Sequence, residues 1–130
     1  VADHLNVSGG SLFPAPGMVS AGWDATLTER LGSLRGVSGS SVVALVPGPL
    51  RPSPAESRAL VSLGADAAVT DSVAEAMVLA SRGVAVSALT YLDAPAAGGN
   101  LGRAQLSLRQ ASGVTLAAVE EILRSLRAGS

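Results

Sequence analysis

With one histidine and no cysteine, this chain of 130 residues has a narrow chemical repertoire. His4 is the only imidazole, so a general base, or the partner of a serine nucleophile, working near neutral pH would have to be that residue. Thiolate metal sites and disulfides are excluded, and a single imidazole cannot build a zinc cluster. Ser53 precedes Pro54 and stands three residues before Glu56, the pattern of a capping box. Asp71 just ahead of Ser72 fits a helix cap, and Asp93, opening a stretch rich in proline and glycine, fits a turn former. No phosphate loop of the G-x-x-x-x-G-K type, no G-x-S-x-G elbow and no paired-carboxylate motif occurs.

The elements that position these groups are legible from periodicity. Val42–Val46 is a continuous apolar run stopped by Pro47-Gly48-Pro49, which predicts a buried strand ending in a rigid loop. A helix is predicted over Pro54–Leu63, with Ala59, Leu60 and Leu63 as its apolar face and Gly64 as its end. Ala67–Val69 follows as a strand, and Ser72–Arg82 as a helix that presents Val73, Ala76, Met77 and Ala80 and closes at Gly83. Val84–Leu92, rich in β-formers, is predicted to be the next strand. Upstream, Asp24 caps a helix carrying Leu27, Leu31 and Leu34 and stopping at Gly36, with Trp23 as a staple before the cap. Gly9–Gly22 and Asp93–Gly99 are loops. A last helix is predicted over Gly113–Arg127, preceded by a helix over Leu101–Ala111 and separated from it at Ser112-Gly113. Strands alternating with helices of this length imply an α/β fold, a mostly parallel central sheet with helices on both faces.

The ordered set Asp3-His4-Leu5-Asn6-Val7-Ser8-Gly9, Gly48-Pro49, Gly64-Ala-Asp-Ala67 and Gly83-Val-Ala-Val86 resembles the C-terminal portion of the trimeric purine nucleoside phosphorylase and methylthioadenosine phosphorylase family. That resemblance implies a phosphorylase-like partial domain. It also implies a pocket in which phosphate, the co-substrate, sits behind the ribose while the base is held to leave as an anion. In family terms the pocket positions are Arg51, Ser53, Asp71, Ser72 and Asp93. Phe13 and Met18 would be apolar contacts near the nucleoside, or anchors of their loop to the core.

Several of these positions depart from the family pattern. The base-binding glutamate is replaced by Pro52, although Ser53 matches the serines of the methylthioadenosine branch. Losing one such hydrogen bond costs about 1–3 kcal/mol. In the phosphate-binding turn the family's methionine-serine-threonine-valine-proline-glutamate becomes Thr70-Asp-Ser-Val-Ala-Glu75, so Asp71 takes the place of a hydroxyl. A carboxylate about 4 Å from a phosphate charge repels it by roughly 4 kcal/mol at an effective dielectric of 20. Asp93 could accept a 6-amino group, and the ribose-side histidine falls near Gly102. The scaffold is retained better than the chemistry, and no residue is assigned a catalytic role.

Three classes of function follow. The first is a noncatalytic or half-domain subunit completing a phosphorylase-type oligomer. The second is an active purine nucleoside or methylthioadenosine phosphorylase whose N-terminal half lies on another chain or outside these residues. The third is a binding module that uses the same cleft for some other small molecule; if the chain binds a ligand in the family's manner, the resemblance implies a nucleoside or purine. Under the resemblance Val1 falls in mid-domain, so a chain supplying the N-terminal half is an expected partner. The composition is 48% hydrophobic with one Phe, one Trp and one Tyr, leaving Ala, Val and Leu to fill the interior. Such an apolar face predicts a homo- or hetero-oligomer, trimer-based by family habit. Nine basic and ten acidic residues give a net charge of −1, which supplies no footprint for nucleic acid or an anionic membrane. No metal or cofactor is expected, and the absence of cysteine makes a cytoplasmic protein the default.

Overall fold

The computed structural model describes residues 1–7, 22–49, 51–95 and 107–128. Their order is β1 (Asp3–Asn6), α1 (Ala25–Gly32), β2 (Val42–Leu45), α2 (Pro54–Ser62), β3 (Ala67–Val69), α3 (Val73–Ser81) and α4 (Leu108–Ala128). The three strands form one sheet in the order β1-β2-β3. Both pairings are parallel, with His4 opposite Val43 and Val43 opposite Ala67. This is the predicted α/β character in a small open sheet.

The central strand shows why the sheet has two covered faces. Val43 and Leu45 join Val1, Val73 and Met77 in one cluster, with Trp23, Ala67 and Val69 packed against it. Ala44 and Val46 project to the other side and meet Ala65, Leu5 and Leu60. Alternate residues of β2 thus serve opposite layers, which is why its sequence is an unbroken apolar run. The first cluster is built on α3, whose Met77 is fully buried, and the second on α2 through Leu60.

Both helices that flank β3 end as their glycines predict. Gly64 has φ +92° and Gly83 φ +79°, a region that glycine enters without a Cβ penalty. The Ala65 N–H then reaches the Leu60 carbonyl at 3.0 Å and the Gly64 N–H that of Val61 at 2.9 Å, the paired bonds of a Schellman stop. The Val84 N–H to the Leu79 carbonyl and the Gly83 N–H to that of Ala80 repeat the arrangement after α3.

Four expectations need correction. Val84–Leu92 is not a strand of the sheet. Its carbonyls at Val86 and Ala88 accept from the Asp24 N–H at 2.8 Å and from the Val1 nitrogen at 2.7 Å, donors in two separate segments that make no ladder. Ala88 packs against the core, but Val84, Leu89, Tyr91 and Leu92 stay exposed, so the β-forming composition is not matched by an alternating buried face. Leu63 is exposed as well, since it follows the last turn of α2, and α2 has no buried residue at all.

The third correction is the predicted break at Ser112-Gly113, because α4 runs continuously through it. The Ser112 and Thr115 hydroxyls bond the carbonyls of Leu108 and Ala111 at 2.9 and 3.0 Å, folding onto the preceding turn, and the roughly 1 kcal/mol cost of a helical glycine is small against a helix of 21 residues. Residues 101–106 of the predicted upstream helix lie outside the described residues, as does most of the Gly9–Gly22 loop. Last, Asp71 does not cap α3. Ser72 holds the N-cap position with φ +68° and makes no side-chain cap bond.

Candidate functional site

Parallel strands release their loops on one side of the sheet, and in open α/β sheets that side is where ligands bind. Here the ends of β2 and β3 and the 89–95 segment surround a cleft of about 820 Å³. The loop after β2 lies directly against the end of β3, since a Cβ on Gly48 would stand 3.3 Å from the Thr70 Cβ. Arg51, Asp71, Ser72 and Asp93 all line the cleft, so four of the five predicted pocket positions are brought together. Ser53 is not among them. Its Oγ accepts from the Glu56 N–H at 3.3 Å while its own N–H donates to the Glu56 carboxylate at 2.6 Å, completing the capping box at the start of α2. The backbone N–H of Ser53, and then its hydroxyl, hold the Glu56 carboxyl below its usual pKa.

The turn after β3 decides what the cleft can hold. Ser72 adopts the left-handed region, rare for a residue with a Cβ. The Val73 N–H folds back onto the Asp71 carbonyl at 2.9 Å, and the Ser72 hydroxyl donates to the Asp71 carboxylate at 3.3 Å. Two donors that an anion would need are therefore used within the turn, and a carboxylate stands beside them.

The described side chains lining the cleft include one cation, Arg51, and three carboxylates, those of Asp66, Asp71 and Asp93. Arg51 pairs with Asp93 at 3.0 Å, and Asp66 accepts from the Val42 N–H at 2.8 Å. Apolar surface from Val69, Val73, Tyr91 and Leu92 completes the lining. The lining thus combines charged and apolar surface.

His4 lies on β1 and does not line the cleft. Its ring stands edge-on to Trp23 with centroids 6.1 Å apart, and its Nδ1 and the Trp23 Nε1 are buried without a hydrogen-bond partner. The chain's only imidazole is thus placed in packing. Phe13, Met18 and Gly102 lie outside the described residues. Thr70, the first residue of the turn matched to the family's phosphate-binding turn, lines the cleft, and so does Tyr91, which has no counterpart among the expected pocket positions. Thr70 directly follows β3, so its place at a strand end was a usable signal; Tyr91 was hidden inside a segment read as a strand. No group of three His, Asp or Glu side chains that could hold a metal occurs among the described residues.

No family model matches this chain, and no curated protein matches it either.

Proposed function

We propose that this chain is a phosphorylase-like α/β unit acting as a noncatalytic or half-domain subunit of a phosphorylase-type oligomer, with a cleft that takes a nucleoside or purine and not phosphate. The observation that carries the reading is the Thr70–Val73 turn, where the Val73 N–H and the Ser72 hydroxyl are both turned onto Asp71. Phosphate binding depends on convergent donors, and here they are consumed beside a negative charge. Pro52 lines the cleft with no side-chain polar atom to read a base edge, which further separates this site from a working phosphorylase.

Assembly is supported by α4. Val114, Ala117, Ala118, Glu121 and Ile122 are buried or half-buried, whereas Leu116, Val119, Leu123 and Leu126 stand on another face, between 49% and 64% exposed. Their spacing of three, four and three residues is that of a helix-packing seam.

The test is phosphate-dependent release of free base from inosine or methylthioadenosine, with the chain alone and with any copurifying partner. No turnover by the isolated chain is expected. Turnover near the roughly 10 per second typical of enzymes would overturn the proposal, and turnover only with the partner would establish the split enzyme, its missing half supplied from another chain.

A further inference from the structure

We propose that α4 is a self-association helix: two copies of this chain join through their α4 helices, packed antiparallel across a two-fold axis, with Glu120 of each copy set against Arg127 of the other. This rests on the assembly reading of α4 given above and names its occupant, without drawing on the phosphorylase likeness.

One face of α4 is already in use. Ala118 is buried, α1 packs against the helix, and Glu121 lies 3.9 Å from Arg30 of α1. At about 3.6 residues per turn, Leu116, Val119 and Leu123 form a stripe on another side, between 49% and 61% exposed. Glu120 and Arg127, one heptad apart and both exposed, border that stripe on the edge farther from Ala118. Among the described residues neither has an ion pair within the chain, whereas the neighbouring Arg124 is held by Glu121 at 2.6 Å.

The placement of these charges selects the occupant and its direction. Two copies of the helix packed on this stripe in the same direction would set the border carrying Glu120 and Arg127 beside the opposite one, where Thr115 and Ile122 carry no charge. Packed antiparallel across a two-fold axis, the charged border meets its own copy reversed. With Val119 opposite the partner's Leu123, and Leu123 opposite the partner's Val119, Glu120 lies toward the partner's Arg127 and Arg127 toward the partner's Glu120. One stripe and one pair of opposite charges thus complement themselves, which is what a two-fold interface requires.

The test is sedimentation equilibrium on the intact chain, on Glu120→Arg, on Arg127→Glu and on an equimolar mixture of those two variants. Arg109→Glu, which reverses a charge on the same border outside the paired positions, is the control. Each single variant brings like charges together twice, so its self-association is expected to weaken about tenfold. The mixture restores two opposite pairs in the heterodimer and returns the constant to within about twofold of the parent, the control matches the parent, and added salt narrows the differences. Circular dichroism checks that every variant keeps its helix content. Association that neither single variant weakens, or a loss that the mixture fails to reverse or the control shares, would overturn the antiparallel pair while leaving α4 as an assembly surface. A parent chain that stays monomeric at tens of micromolar would overturn the pair and the assembly reading together.

Discussion

Ser72 is a serine in a backbone conformation that glycine adopts freely. Its φ of +68° sits between Asp71, whose carbonyl and carboxylate receive the turn's two donors, and Val73, buried in the core. Left-handed backbone costs a residue with a Cβ roughly 1–2 kcal/mol. Ser72→Gly is therefore expected to stabilise the protein by about 1 kcal/mol, read as a rise of about 3–6 °C in thermal midpoint. An unchanged or lower midpoint would show that the turn is not strained.

Asp71→Thr tests the other half of the turn. Removing the carboxylate is expected to improve phosphate binding at least about tenfold, a modest fraction of the repulsion that a charge pair at contact would produce. Calorimetric titration with inorganic phosphate checks it. A different charge governs α2. The Glu56 carboxyl is held below its usual value of 4.5 by the Ser53 N–H and then the Ser53 hydroxyl. A depressed carboxyl contributes stability that is present above its unfolded value and lost as pH falls through the folded one. The start of α2 should consequently fray only below pH 4.5, seen as loss of the Ser53 amide's protection from exchange. Ser53→Ala should cost about 1 kcal/mol and Glu56→Gln should abolish the pH dependence.

The elements differ in how plainly the sequence announced them. β2, α2, β3 and α3 were readable because each has its own punctuation: Pro47 after the strand, Ser53-Pro54 before α2, Gly64 and Gly83 at the helix ends. Two elements were misread for opposite reasons. Val84–Leu92 has strand composition but forms no ladder with the described strands, and pairing is a property of the sheet that no local pattern contains. In α4 the serine-glycine pair suggests a break, whereas Ser107 and Gln110 form a capping box at the helix start, with the Ser107 N–H on Gln110 Oε1 at 2.9 Å and the Gln110 N–H on Ser107 Oγ at 3.3 Å. That signal was present and points to a helix beginning at residue 108.

Packing follows the same division. Met77 on α3 is fully buried while Val61 on α2 is exposed. Met77→Ala should cost about 2–5 kcal/mol and Val61→Ala less than about 0.5 kcal/mol in denaturant unfolding. A comparable cost at both would contradict the assignment of the core to the α3 side of β2.

At the scale of the molecule, the sheet of three strands carries a polar rim and an apolar interior at its C-terminal edge, and α4 carries a row of exposed apolar side chains. The pocket was partly legible. Arg51, Asp71, Ser72 and Asp93 were named as positions of the resembled family's pocket, and all four line the cleft. What could not be read was the direction of donors within the turn, which depends on one left-handed residue. The α4 seam leads to an assembly prediction: sedimentation should show an oligomer, and Leu116→Glu with Leu123→Glu should shift it to monomer without loss of helix content. A monomeric parent chain would count against the seam as an interface.

The central claim is that the cleft accepts a neutral nucleoside or purine and refuses phosphate. Backbone amide shifts of Thr70, Asp71, Ser72 and Val73, followed by NMR in the labelled protein during titration with inosine and separately with inorganic phosphate, test it most directly. The account predicts saturable shifts with inosine, confined to residues lining the cleft, and none with millimolar phosphate. Saturable movement of those four amides with phosphate, or no response to inosine, would contradict it.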